Sequence, residues 1–111
     1  MDIAEIYGLL RRLGLSAGSP RFFYVSYAVY LTIRQPYLAL FAEQWLYPVV
    51  ARHYHTTNIN VKIGISLASD TVWESEGEAL RALAKYPLER KPRPSEFISL
   101  LAACFGNGNA A

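Results

Sequence analysis

The sequence has little of what marks secreted or membrane proteins. It contains one cysteine, Cys104, which cannot form an internal disulfide and which is typical of a core residue in a reducing compartment. The longest apolar stretch, 22–33, is interrupted by Ser26 and Thr32 and falls short of the roughly 18 uncharged residues of a membrane span. No secretion signal is recognised at the N-terminus. We therefore expect a cytoplasmic protein without a membrane partner.

Charge is scarce as well. Eleven basic and nine acidic residues leave a net charge of +2. The sequence pI of 8.8 lies below the value of about 9 that is usual for a dedicated nucleic-acid binder. The basic residues are scattered, apart from Arg11-Arg12 and the group Arg90, Lys91 and Arg93. This composition permits DNA binding without requiring it.

Motifs of catalysis and cofactor binding are missing from the sequence. There is no nucleophile elbow, no glycine loop that cradles phosphate and no zinc-binding helix motif. His53 and His55 are two residues apart, which on a helix turns them to nearly opposite sides, so they predict no metal site. The sequence therefore predicts no enzyme, no cofactor and no small-molecule substrate.

What is present is enough apolar residues for a folded core. A hydrophobic fraction of 52% and an aromatic fraction of 14% argue against disorder, and 111 residues make one domain, 1–111. Helix caps, helix-breaking residues and helical spacing of apolar residues predict six helices. The first runs from Asp2 to Gly14, the second begins at Ser19-Pro20 and is the central buried helix over 22–33, and the third runs from Tyr37 to about Tyr54. The fourth ends at Glu76-Gly77, the fifth is short and covers 78–85, and the sixth is capped by Ser95 and covers about 95–105. Pro48 predicts a kink or a break near Leu46, and residues 106–111 are expected to fray. The expected fold is all-α, a compact bundle of about five to six helices.

The stretch after Thr56-Thr57 admits two interpretations. Apolar and polar residues alternate over 59–67, which is typical of a strand. The same stretch also has an apolar helical face, made of Val61, Ile65, Ala68 and Val72. Because no second strand-like run exists to pair with a strand, we predict a helix. With the helix before it, this helix forms a helix-turn-helix over about 46–75.

Several short motifs in the second half of the chain resemble a known family. They are Leu46-Tyr47-Pro48 followed by Ala51, then Thr56-Thr57, Val61, Ile65, Ala68 and Trp73, and finally Pro94-Ser95-Glu96-Phe97-Ile98. In this order they resemble the C-terminal effector domain of the stage-zero sporulation master response regulator of endospore-forming bacteria. The resemblance implies an all-helical transcription-regulating domain that binds double-stranded DNA through the helix corresponding to 58–73. That family normally follows a receiver domain, and none is present in these 111 residues.

The presumed reading helix departs from the family pattern. The family has several arginines and a histidine on the outer face, where this sequence has Asn60, Ile63, Ser66 and Leu67. Arginine reads guanine and binds phosphate, and neither isoleucine nor leucine does either. The residues then predicted to contact DNA are Asn58, Asn60, Lys62, Ile63, Ser66 and Leu67 on the helix and Arg90, Lys91 and Arg93 in the proline-rich loop.

Two of these residues have competing interpretations. Ile63 and Leu67 can contact DNA, form an exposed patch that buries against another chain, or belong to the core of this domain. The basic loop is equally well explained as a solvated run of charge. One hypothesis is thus a DNA-binding regulator with a charge-depleted recognition helix. The alternative is a degenerate helix-turn-helix that pairs with itself or with another regulatory protein through Ile63 and Leu67, without binding DNA.

Overall fold

The helices of the protein pack around one central helix, α2. The computed structural model describes residues 2–106. Its elements are α1 (Ile3–Arg12), α2 (Pro20–Arg34), α3 (Tyr37–Leu40), a π-helical turn (Ala42–Leu46), α4 (Tyr47–His53), α5 (Asn58–Leu83) and α6 (Pro94–Gly106). No strand occurs in this part of the chain, which confirms the all-α prediction. Of the tail expected to fray, 107–111 lies outside the described residues.

Local sequence signals set both ends of α1. The Asp2 carboxylate accepts a hydrogen bond from the Ala4 N–H at 3.5 Å, as expected of an N-cap. At the other end, Gly14 has a φ of +89°, and its N–H donates to the Arg11 carbonyl at 3.0 Å. This left-handed conformation suits glycine and ends the helix where the sequence predicts it.

The predicted central helix is confirmed. α2 contacts α1, α5 and α6, and Val25, Ala28 and Val29 on it are fully buried. The buried Ser26 hydroxyl donates to the Phe22 carbonyl at 2.7 Å, so this polar side chain is satisfied within its own helix. The core is therefore organised around α2.

The helix predicted from Tyr37 to Tyr54 is three pieces instead of one. Phe41 leaves helical dihedral angles, and the Tyr47 N–H donates to the Ala42 carbonyl, five residues back, in the π-helical turn. The cause is Pro48, whose ring would clash with the carbonyl of residue 44 in a continuous α-helix. The break near Leu46 is thus confirmed. The sequence spacing also predicts that Phe41 and Trp45 share one helical side with Leu38 and Val49. This prediction is wrong, because Phe41 and Trp45 are 51% and 56% exposed whereas Leu38 is buried.

The prediction of a helix after Thr57 is confirmed, and the strand interpretation is excluded. The predicted break at Glu76-Gly77 is confirmed: Glu76 has non-helical dihedral angles (φ −135°, ψ 37°), so α5 consists of two helical segments that meet at a kink. Leu80, which follows the kink, is fully buried, so its packing against the core stabilises the last turns of α5. The predicted short helix over 78–85 corresponds to the second segment of α5, which ends at Leu83 instead of Lys85.

α6 completes the core with Phe97, Ile98 and Leu101, all fully buried. It begins at Pro94, one residue before the predicted start, so Ser95 lies inside the first turn and is not the cap. The Glu96 carboxylate takes the capping role, because it accepts a hydrogen bond from the Arg93 N–H at 2.9 Å.

Candidate nucleic-acid interface

A four-residue turn, 54–57, joins α4 to α5 and fixes where α5 begins. The Thr57 hydroxyl oxygen accepts a hydrogen bond from the Asn60 N–H at 3.0 Å, which is an N-cap. The Asn60 side-chain amide donates to the Thr56 hydroxyl at 3.0 Å. His55 has a φ of +55° and turns the chain between the two helices. The sequence Thr56-Thr57 is typical of a turn followed by a helix cap, and the two threonines fill those roles here.

The rotation of α5 about its own axis is set by its inner face. Val61, Ile65, Ala68 and Val72 are fully buried against the helices of the core. Their spacing is the apolar helical face that the sequence predicted. Every other position on α5 therefore has a defined direction relative to the body of the protein.

The opposite side of the first three turns of α5 faces solvent. Ile59, Ile63 and Leu67 have exposed fractions of 67%, 51% and 43%. With the exposed Asn60, and with Asn58, which is exposed because it is the first residue of the helix, they make up what we name the outer face of α5. The interpretation that places Ile63 and Leu67 in the core of the domain is therefore wrong. Ile59 was missed by sequence reasoning, although its spacing of four residues from Ile63 is the signal that identifies it.

The first turn of α2 borders one edge of the outer face. α2 and α5 approach closely at Gly64, where an added Cβ would lie 2.8 Å from Cδ2 of Tyr24. A groove of about 410 Å³ runs along this contact, between Arg21 and Tyr24 on one side and Ile63 and Leu67 on the other. Arg21 thus lies beside the outer face. No sequence pattern identifies it, since its position depends on the packing of two helices.

The proline-rich loop lies along the other side of α5. The buried Ser69 hydroxyl donates to the Pro92 carbonyl at 3.0 Å, and Lys91 forms an ion pair with Asp70. Ser66, one turn before Asp70, is only half-buried. These contacts place the basic loop next to α5, on the side away from α2.

Most of the basic residues predicted to contact DNA already have acidic partners. The Lys62 ammonium lies 2.6 Å from the Glu43 carboxylate, Lys91 pairs with Asp70, and Arg90 lies 3.4 Å from Glu96. Arg93 has no ion pair within residues 2–106. These pairs leave little net positive charge around α5.

The acidic partner of Arg90 remains ionised well below neutral pH. The hydrogen bond from the Arg93 N–H is the main influence that lowers the pKa of Glu96 below its ordinary value of 4.5, with a smaller contribution from Arg90. The carboxylate therefore holds Arg90 near the start of α6 throughout the physiological pH range.

The second half of α5 is acidic. Asp70, Glu74 and Glu78 follow one another at spacings of four residues, with Glu74 and Glu78 exposed. A phosphate backbone laid along this half would meet like charge. Only the N-terminal turns of α5, which carry the outer face, are electrostatically suited to approach DNA.

Residues 2–106 form neither a membrane span nor a metal site. Between residues 2 and 106, no helix is both long enough and apolar enough to cross a membrane. In the same range no three side chains of histidine, cysteine, aspartate or glutamate come together in a group that could hold a metal ion.

Two helices joined by a tight turn, the second with an exposed outer face, place this all-helical protein in the helix-turn-helix class. Residues 6–104, nearly the whole chain, match the model of a protein family that is described as the C-terminal domain of the sporulation initiation factor Spo0A. The chain belongs to this family, which confirms the resemblance seen in the sequence. It is a family of DNA-binding regulatory domains and not of enzymes. A comparison of the chain with individual curated proteins found no match.

Proposed function

We propose that this protein binds double-stranded DNA as a regulator of transcription, with the first three turns of α5 in the major groove. The observation that carries the proposal is the outer face of α5, which follows a tight turn and is covered by no other part of residues 2–106. An α-helix fits the major groove, and the N-terminal residues of the second helix of a helix-turn-helix contact the base edges. The family supports the same assignment.

Binding to phosphate then depends on a few basic side chains around the outer face. Arg21 borders it, Arg52 lies exposed in the last turn of α4, and Arg93 is exposed in the basic loop. We propose these three as phosphate contacts. Lys62, Arg90 and Lys91 would first have to exchange their carboxylate partners for phosphate. The affinity should therefore be modest and depend on few ionic contacts.

A salt titration tests the proposal. The protein is titrated into a fluorescent mixed-sequence duplex at several salt concentrations, with binding measured by anisotropy. Three phosphate contacts predict that the logarithm of the association constant falls against the logarithm of salt with a slope of roughly −3. The variant Arg21→Gln should reduce the slope by about one. Arg34→Gln, at the opposite end of α2, is the matched control and should leave the slope unchanged. Absence of binding at low salt would overturn the proposal.

A second candidate function is supported by the apolar character of the same face. Ile59, Ile63 and Leu67 form a continuous exposed ridge at spacings of four residues, and such ridges are often buried by another protein chain. In this case the domain pairs with itself or with another regulatory protein and does not bind DNA. Light scattering tests self-pairing, because a dimeric mass that becomes monomeric in the variant Ile63→Ser Leu67→Ser would support it. A monomeric parent protein that binds DNA would rule it out.

A further inference from the structure

The outer face of α5 carries side chains that complement an A·T base pair, and we propose that it reads A·T-rich DNA in the major groove. This inference rests on the proposed DNA binding. An A·T pair presents the acceptor N7 and the donor N6 of adenine, together with the C5-methyl group of thymine. A side-chain amide matches the adenine edge, and an aliphatic group matches the methyl. The outer face has both.

Asn60 is positioned to read adenine. One N–H of its side-chain amide is held by the Thr56 hydroxyl at 3.0 Å, which restricts the rotation of the side chain. The second N–H and the amide oxygen stay available, and these are the donor and the acceptor that N7 and N6 of adenine require. The tether to Thr56 therefore orients Asn60 before DNA arrives, which lowers the entropic cost of the contact.

Ile63 and Leu67 are positioned to contact thymine. They follow Asn60 at spacings of three and seven residues, so the three side chains lie on one side of the helix. With a rise of 1.5 Å per residue they span about 10 Å, roughly three base-pair steps of 3.4 Å. Their exposed methyl groups can pack on the C5-methyl of thymine. Against a G·C pair they would instead cover the guanine O6 or the cytosine amine and leave it without a hydrogen-bond partner.

A guanine reader is missing from this surface. Reading guanine takes an arginine or a lysine that donates to O6 and N7. None of the outer-face residues, Asn58, Ile59, Asn60, Ile63 and Leu67, is basic. The nearest lysine on the helix, Lys62, is held by Glu43 at 2.6 Å. The chemistry of the face therefore favours A·T pairs through the contacts that it offers and through those that it lacks.

The test uses three duplexes of equal length at one salt concentration. The first is a mixed A·T sequence, the second is a mixed G·C sequence, and the third is the first with every thymine replaced by deoxyuridine, which removes only the C5-methyl groups. We expect the A·T duplex to bind about tenfold or more tightly than the G·C duplex. The uracil duplex should bind several-fold more weakly than the thymine duplex.

Two variants assign the effect to residues. Ile63→Ser Leu67→Ser should bind the thymine and uracil duplexes equally, because both side chains that contact the methyl groups are gone. Asn60→Ala should lose most of the preference for A·T over G·C. Leu40→Ser is the matched control: Leu40 is also an exposed aliphatic residue, but it lies on α3, so the preference for thymine over uracil should persist.

The outcomes separate this inference from the proposed function. Equal, salt-sensitive binding to all three duplexes would overturn A·T reading and leave DNA binding intact. A preference for A·T that is unchanged by uracil would also overturn it, since it would place recognition outside the thymine methyl groups. No binding to any duplex would overturn both the inference and the proposed function.

Discussion

Two isoleucines on α5, two residues apart, meet opposite environments. Ile65 is fully buried in the core, whereas Ile63 is 51% exposed on the outer face. Both are apolar, and both contribute to the alternating pattern that resembles a strand. Only the packing of Val61, Ala68 and Val72 against the core decides which of the two is inside. The comparison shows that one residue type on one helix can stabilise the fold on one face and remain available for binding on the other.

The largest expected effect is on the free energy of unfolding, and it compares the inner face of α5 with its outer face. Ile65→Ala should lower the free energy of unfolding by about 2 to 5 kcal/mol, because it removes buried methyl groups and leaves a cavity. Ile63→Ala, the matched change on the outer face, should alter it by less than about 0.5 kcal/mol. Urea unfolding followed by circular dichroism measures both. Equal losses would mean that Ile63 is packed inside the protein, and the assignment of the outer face would fail.

The next largest effect on stability concerns the close approach of α5 to α2 at Gly64, beside the outer face. Gly64→Ala should lower the free energy of unfolding by about 1 to 3 kcal/mol, because the new Cβ would meet the Tyr24 ring at 2.8 Å. Gly8→Ala is the control, since a Cβ there has ordinary space and alanine favours a helix, so it should stabilise by about 0.5 to 1 kcal/mol. Thermal unfolding of the two variants gives the comparison. Stabilisation by both would show that α2 and α5 do not approach closely at Gly64.

The inner face of α5 was predictable from the sequence, because a helix that packs on a core repeats its apolar residues at fixed spacings. That face favoured an outward direction for Ile63 and Leu67, but the sequence left a position in the core open, and the exposed fractions of the two side chains decide it. The break at Pro48 was also predictable, since it depends on the proline ring alone. The exposure of Phe41 and Trp45, which precede that break, was not predictable, because the sequence does not show the non-helical Phe41 or the π-helical turn that follows it.

The surroundings of the outer face were beyond sequence reasoning. Arg21 reaches it only through the close approach of α2 to α5 at Gly64. Lys62 and its partner Glu43 are 19 residues apart in the chain, and no local pattern pairs them. A list of basic residues therefore overstates the charge that this surface offers to DNA, because the structure pairs several of them with carboxylates.

A variant with only a small expected change in stability gives a sharp test of that pairing. Glu43→Gln removes the partner of Lys62 in an ion pair that is largely exposed, so the free energy of unfolding should fall by less than about 1 kcal/mol. The released ammonium becomes available to a phosphate. DNA affinity at low salt should therefore rise several-fold, and the slope against salt should steepen by about one.

Glu5→Gln, in the first turn of α1, makes the same change in net charge and controls for it. It should raise DNA affinity only slightly and leave the slope unchanged, because a distant charge acts through the screened field of the whole protein. If the two variants behave alike, Lys62 does not face the DNA backbone. The contact surface would then be confined to the edge of α5 that carries Asn60, Ile63 and Leu67, beside Arg21.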